Sequence, residues 1–278
     1  MIKDCPQYYV DISPGSMSNH RQEYHRAWSQ LAPPLRPHPD VVAAVKKQIK
    51  DRYGRTLLLG VTPELADVAP DIVAVDRNFS MIANVWPGNT PSRCAIVGDW
   101  RNSNFASAVF SLCIGDGSLC GLKYPTEIGA LFHELNRILK SDGRVVCRLY
   151  LSPDATETIS ALQESALSGS IGNFHAFKMR LAMALAAQQP EPQICVEKIL
   201  DAFNALFKNR EELVRATRWS REQIDTIDFY RGSTVLFNFP SEDQLLSVVS
   251  KTCPSARLVS SGNYEMSERC PLLVADIT

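Results

Sequence analysis

The chain has 278 residues, longer than one average domain and shorter than two. Apolar residues make up 45% and charged residues 21%, enough for a sizeable core, which excludes a disordered tail or a disulfide knot. The 29 basic and 30 acidic residues nearly cancel and neither sign is concentrated, so no footprint for nucleic acid or an anionic membrane is present and a small, roughly neutral partner is expected.

The first residues, MIKDCPQYYVDISPG, lack the apolar region of a signal peptide, and no window approaches the roughly 18 apolar residues of a membrane span, so a cytoplasmic protein is expected. Tyr24 and Trp28 share a helical face, and Pro33, Pro34, Pro37 and Pro39 fix its approach to the remainder of the fold. That face either packs as an ordinary N-terminal helix or contacts a substrate. His20 and His25 are candidate bases or exposed structural histidines. The eight cysteines form no CxxC pair and several sit in apolar runs, so they read as reduced core thiols.

Short apolar runs then alternate with helix-like segments. Strands are expected at 56–60 (TLLLG), 71–75 (DIVAV), 93–97 (RCAIV), 108–114 (AVFSLCI) and 143–151 (GRVVCRLYL). Ile128, Leu131, Leu135, Ile138 and Leu139 line one face of a helix ended by Ser141-Asp142-Gly143. Uniformly apolar strands separated by crossovers specify an α/β fold, a Rossmann-like doubly wound sheet covered by helices on both faces.

From 151 to 240 the pattern is mainly helical. Phe174, Phe177, Leu181 and Leu185 make one stripe and Val196, Ile199, Leu200, Phe203, Leu206 and Phe207 another, separated by the Gln189-Pro190-Glu191-Pro192 loop. Ser241 reads as the N-cap of a helix carrying Leu245, Leu246, Val248 and Val249. Strands at 256–260 and 271–277 close the chain, and the ten residues between them are too few for a crossover, so this pair is expected to be antiparallel. The sheet is thus expected to have seven strands, mostly parallel, with an antiparallel last pair.

In such sheets ligands sit beyond the carboxyl ends of the strands. After the first strand, Gly60 lets backbone N–H groups approach a ligand, and in Val61-Thr62-Pro63-Glu64 the threonine is placed to cap a following helix. Asp76 directly follows the second strand, 16 residues after Gly60, where a carboxylate can accept both hydroxyl hydrogens of a ribose. Gly98-Asp99-Trp100 comes after the third with an acceptor beside an aromatic face. Gly115-Asp116-Gly117-Ser118 ends the fourth, its glycines permitting close approach next to an acid. His133-Glu134 does not extend to HExxH and Gly115-Asp116-Gly117 does not extend to GxGxxG, so neither a zinc site nor a dinucleotide fingerprint is indicated.

With those residues in place, the sequence resembles the class I S-adenosylmethionine-dependent methyltransferases, in particular the bacterial small-molecule type. The resemblance covers about 56–150 and 241–278. It is most specific at Glu134-Leu135-Asn136-Arg137-Ile138-Leu139-Lys140-Ser141-Asp142-Gly143-Arg144-Val145-Val146, similar to the family's ExxRVLKPGGxxx helix, turn and fifth strand. The resemblance implies that Asp76, with Arg77 beside it, holds the ribose hydroxyls and Asp99 the adenine amino group. It implies Met81 and Trp100 on the sides of the adenine, and Asp116 facing the methyl group and the substrate as the catalytic position. Gly60, Val61, Thr62 and Gly115 complete the cofactor set. The glycine loop departs from the family's DxGxGxG, with Leu58 in place of the acid and Thr62 and Glu64 in place of later glycines. Glu64, turned inward, would contact the amino end of the methionine moiety as the missing acid does elsewhere.

The resemblance therefore implies transfer of a methyl group from S-adenosylmethionine, leaving S-adenosylhomocysteine, to an oxygen or nitrogen of a small molecule, with no metal. Substrate contacts are expected from Tyr24, Trp28, Arg148, Tyr230 and Arg231. The chain divides into an N-terminal helical lid (1–55), a cofactor-binding domain (56–150 and 241–278) and a mainly helical cap (151–240), in a monomer or homodimer. Two other readings stand beside it. One is a methyltransferase-like protein with altered cofactor use that acts as a binding or regulatory subunit; the other is an NAD(P)-dependent oxidoreductase.

Overall fold

The computed structural model describes residues 28–277. A short turn at Trp28–Gln30 leads to α1 (Pro39–Ile49), β1 (Thr56–Leu59), β2 (Ile72–Asp76), α2 (Phe79–Val85), β3 (Arg93–Val97) and β4 (Phe110–Asp116). Next come α3 (Thr126–Ile138), β5 (Leu139–Arg148), α4 (Ile159–Leu167), α5 (Phe174–Ala186), β6 (Gln193–Cys195), α6 (Val196–Leu206), α7 (Arg210–Thr217) and α8 (Arg221–Asp225). The chain closes with β7 (Leu236–Asn238), α9 (Glu242–Val249), β8 (Arg257–Val259) and β9 (Leu272–Asp276).

Seven strands form one sheet in the order β3-β2-β1-β4-β5-β9-β8. β1 pairs in parallel with both β2 and β4, so the winding reverses at β1 and opens a crevice beyond its carboxyl end. β9 runs antiparallel to both β5 and β8, and for the β8–β9 pair the short 261–270 connection requires it. Alternate strand residues serve opposite faces. Leu57, Leu59, Cys113, Val145 and Leu273 pack with Ile128, Leu131 and Leu135 of α3 and with Leu245 and Val249 of α9. Leu58, Ala74, Ile114, Val146 and Val274 pack with Val41, Val45 and Ile49 of α1. Both faces are therefore dry, which is why these strands read as unbroken apolar runs.

Two local features differ from the sequence expectation. Leu139 has already left the helix (φ −82°, ψ 150°) and pairs with Phe110, so β5 starts four residues earlier than expected. Ser141-Asp142-Gly143 lies inside that strand, where the register with β4 shifts, rather than ending the helix. After β1, Pro63–Leu65 makes a single 3₁₀ turn instead of an α-helix, and the Thr62 side chain at its N-cap makes no capping bond.

The helices of 151–240 form their own apolar cluster around Phe174, Phe177, Phe203 and Trp219. They also enclose a two-stranded antiparallel sheet of β6 and β7, three residues each, too short to register as a pattern. Ser241 caps α9 in a reciprocal capping box with Gln244, as expected of an N-cap serine. The seven described cysteines carry free thiols, and burial pushes Cys120 and Cys270 up to about 12. Among the described residues, no helix is long and apolar enough to cross a membrane.

Candidate functional site

The carboxyl ends of β1, β2 and β4 and the underside of the cap line a cleft of about 530 Å³. Ten residues singled out in the sequence line it: Trp28, Gly60, Val61, Thr62, Asp76, Arg77, Met81, Trp100, Asp116 and Tyr230. A smaller pocket of about 100 Å³ adjoins it, sharing Asp76, Arg77, Trp100, Ser118 and Gly121 and adding Asp99 and Arg101.

Gly60 turns the chain out of β1 at φ +93°, a conformation that L side chains rarely adopt. Its backbone N–H donates to the Val75 carbonyl at 2.8 Å, which holds the turn against the end of β2. Trp100 donates its indole N–H to the same carbonyl, so its ring lies across the crevice floor. A Cβ on Gly60 would stand 3.9 Å from Asp76 Oδ2 and 4.0 Å from the Trp100 ring, which brings these three groups around one point.

Asp76 is 9% exposed. One oxygen accepts the Asn78 backbone N–H at 2.8 Å. Burial pushes its carboxyl up to about 6, opposed by that N–H and by Arg77. It is thus a carboxylate held in an apolar place, poised for partners that would replace lost water. Asp99 is different: Arg101 grips both its oxygens and holds it below the usual carboxylate range. It reaches the smaller pocket with its charge already paired.

At the end of β4, Gly115 stands opposite Leu59, and a Cβ there would meet Ser118 Oγ at 2.9 Å and Cys147 Sγ at 3.1 Å. The glycine lets Ser118 fold back and donate to the Leu59 carbonyl at 2.7 Å. Asp116 comes next, its side chain 2% exposed and in bidentate contact with Arg148 at 2.5 and 2.9 Å. Burial raises its carboxyl against the pull of that guanidinium. Arg148, expected to touch substrate, is fully buried behind it and is absent from the cavity wall. Its remaining N–H groups go to the hydroxyls of Tyr150 (3.1 Å) and Tyr264 (3.3 Å).

Three other sequence candidates sit outside the cavity lining. Glu64 is ion-paired with Arg36, while its Oε2 is buried with no partner. Gly115 acts through packing. Arg231 is 60% exposed and paired with Asp228 at 3.1 Å. Tyr24, His20 and His25 lie outside the described residues.

The structure adds lining residues that the sequence leaves unmarked. Tyr150 lines the cavity and donates its hydroxyl to the Pro34 carbonyl at 2.7 Å, tying the N-terminal segment to β5. It lies two residues after Arg148, and strand period places both on one side. Met179, Val196, Phe229, Val235 and Phe237 come from the cap, and of these only Val196 belongs to a stripe read from the sequence, which marks it as apolar and not as cavity wall. Behind the wall, Lys178 is fully buried between the rings of Phe174 and Tyr230, its Nζ 5.6 and 5.0 Å from their centroids. Among the described residues, no group of three or more His, Cys, Asp or Glu side chains is placed to hold a metal ion.

No protein-family model matches the chain, and no curated protein matches it in sequence. Solved structures do match. A candidate Zn-dependent alcohol dehydrogenase of Rhodobacter sphaeroides aligns at TM-score 0.54 and 11% identity over 95% of this chain and all of that one. An S-adenosylmethionine-dependent methyltransferase of Mesorhizobium loti aligns at 0.47 and 11% over 84% of this chain and 96% of its own. One of Methanosarcina mazei aligns at 0.47 and 12% over 87% and 96%. At such identities the likeness concerns fold alone. The fold is a Rossmann-like seven-stranded sheet, mostly parallel, with the reversed β9 between β5 and β8 that the sequence resemblance implies.

Proposed function

We propose that the protein is a methyltransferase that uses S-adenosylmethionine to methylate an oxygen or nitrogen of a small molecule held between the strand ends and the cap. One observation carries this reading: Gly60, Asp76, Trp100 and Asp116, from the ends of four different strands, line one cavity at the switch point of the sheet.

The residues fit that cofactor. Asp76 would hold the ribose hydroxyls, Met81 and Trp100 would flank the adenine, and the loop starting at Gly60 would run along the methionine moiety. Glu64 offers a buried oxygen without a partner close enough to Asp116 to raise its carboxyl, which suits a cationic amino group nearby. When bound, the cofactor supplies a methyl carbon that passes to an acceptor lone pair, the carbon–sulfur electron pair staying on sulfur and the acceptor's proton leaving to water. The chain's own contribution is orientation and exclusion of water, which can supply much of the rate of an in-line displacement. Asp116 fixes the floor of the acceptor space through Arg148.

The test is calorimetry with S-adenosylhomocysteine. Wild-type protein is expected to bind it and Asp76→Ala to bind at least about tenfold more weakly. No binding at about 1 mM ligand, with the variant indistinguishable from wild type, would sink the proposal.

A second reading rests on the loop after β1, where a single tight turn stands in place of a helix N-terminus. It makes the protein a binding or regulatory subunit with altered cofactor use. Cofactor co-purified and released by denaturation would count against it.

A further inference from the structure

We infer that the acceptor molecule is uncharged, flat and mainly apolar, an aromatic or polycyclic compound carrying its reactive oxygen or nitrogen at one edge. The inference rests on the methyl-transfer reading for which side of the cavity is left to the acceptor.

With the strand-end side assigned to the cofactor, most of the remaining wall is apolar, from Leu35, Met179, Val196, Phe229, Val235 and Phe237, with Tyr150, Tyr230 and Ser233 as its hydroxyl-bearing residues. These come from separate stretches of chain, so the apolar character is a property of the enclosure and not of one helix face. Phe237 meets Tyr230 edge to face, with ring centroids 6.0 Å apart at 90°, which leaves ring surfaces turned in different directions around the space. Such walls favour a planar guest, whose faces and edges both find partners.

Charge decides the rest. The carboxylate on this side, Asp116, is already neutralised by Arg148 with both side chains out of contact with water. Arg231 turns outward to Asp228, and Glu64 is outside the lining, on the side given to the cofactor. Lys178 lies behind the Tyr230 and Phe174 rings and does not reach the lining. An anion or cation entering here would lose part of its water without meeting an unpaired counter-charge among these residues, which disfavours it against a neutral guest. A single polar edge is provided for. The indole N–H of Trp28, a lining residue, is buried with no partner among the described residues, and one oxygen or nitrogen on the guest would satisfy it.

Three probes of one shape separate these terms: 1-naphthol, 1-naphthoate and protonated 1-naphthylmethylamine, titrated calorimetrically into the full chain at neutral pH with S-adenosylhomocysteine present. Naphthol is expected to bind at least about tenfold more tightly than either ion. Val235→Trp, at a half-buried wall position, is expected to weaken naphthol at least about tenfold while S-adenosylhomocysteine affinity stays within about twofold. Phe237→Ala serves as the second variant, weakening naphthol by removing wall instead of adding it. An ion that binds as tightly as naphthol, no naphthol binding at about 1 mM, or neither variant changing naphthol affinity overturns the inference. If naphthol selectivity holds while S-adenosylhomocysteine does not bind, the cofactor reading falls and the character assigned to the pocket stands.

Discussion

Arg148 and Asp116 meet as two parallel hydrogen bonds, Nε to Oδ1 and Nη2 to Oδ2, on adjacent strands in register and out of reach of water. Because both carboxylate oxygens are held, Asp116 is a fixed part of the cavity floor and its charge is internally balanced. Removing one partner leaves the other buried and uncompensated. Arg148→Met is therefore expected to destabilise the protein by about 3–5 kcal/mol, and Asp116→Asn/Arg148→Met by clearly less than the sum of the single changes. Chemical denaturation of the four proteins checks this; additive effects would mean that the pair does not act as a unit.

How far the site can be read from sequence depends on what pattern carries. Runs such as TLLL at 56–59 coincide with a strand because both faces of the sheet are covered there, so burial is written into every residue. Strand ends then locate Gly60, Asp76, Trp100 and Asp116, since a parallel sheet delivers its carboxyl ends to one edge. Arg148 stands out in the sequence but not as a buried residue, because its partner lies 32 residues away and one sequence holds no trace of that pairing. β6 and β7 span three residues each, below the length at which a period exists. The start of β5 is hidden because Ser141-Asp142-Gly143 has the chemistry of a helix stop, and here that chemistry serves a register shift.

Asp76 gives a pH dependence with a definite direction. Burial raises it to about 6, so in the ligand-free protein it gains a proton as pH falls through that value. Only the ionised form accepts both ribose hydroxyls. Affinity for S-adenosylhomocysteine is thus expected to fall about tenfold between pH 7 and pH 5, and Asp76→Asn to bind weakly with a flat profile there. Protein stability without ligand moves oppositely: the raised value favours the folded state below about 3.8, and that contribution is lost as pH rises through about 6. Titrations across this range, with thermal melts on the same samples, test both signs.

Gly117 and Gly232 separate backbone strain from crowding. Both sit in the left-handed region, at φ +63° and +64°. A Cβ on Gly117 would stand 2.7 Å from the Tyr150 ring, whereas one on Gly232 would meet nothing within 4 Å. Gly232→Ala is expected to cost about 1 kcal/mol, the strain alone. Gly117→Ala is expected to cost about 2–4 kcal/mol, because Tyr150 must move and loses its bond to the Pro34 carbonyl. Equal losses in urea denaturation would show that Tyr150 yields freely.

Lys178 is the buried amine for which no carboxylate is provided. Its Nζ lies 3.4 Å from Thr226 Oγ1 and otherwise faces rings, and burial pushes it down to about 7 from 10.5. His175, one turn earlier on α5, is lowered to about 3 by burial and then by Lys178, so it stays neutral and offers no compensation. Between pH 7 and 10.5 the unfolded chain binds this proton and the folded one does not, so stability rises with pH across that interval. At and below pH 7 the ammonium is carried into the core at full cost. Lys178→Met keeps the length of the side chain and removes the charge. It is expected to stabilise the protein by about 1–4 kcal/mol at neutral pH, with the gain shrinking toward pH 10. Urea denaturation of both proteins across that range measures the difference. A loss of stability at neutral pH would show that the core needs this ammonium, through the Tyr230 and Phe174 rings, more than its burial penalises it.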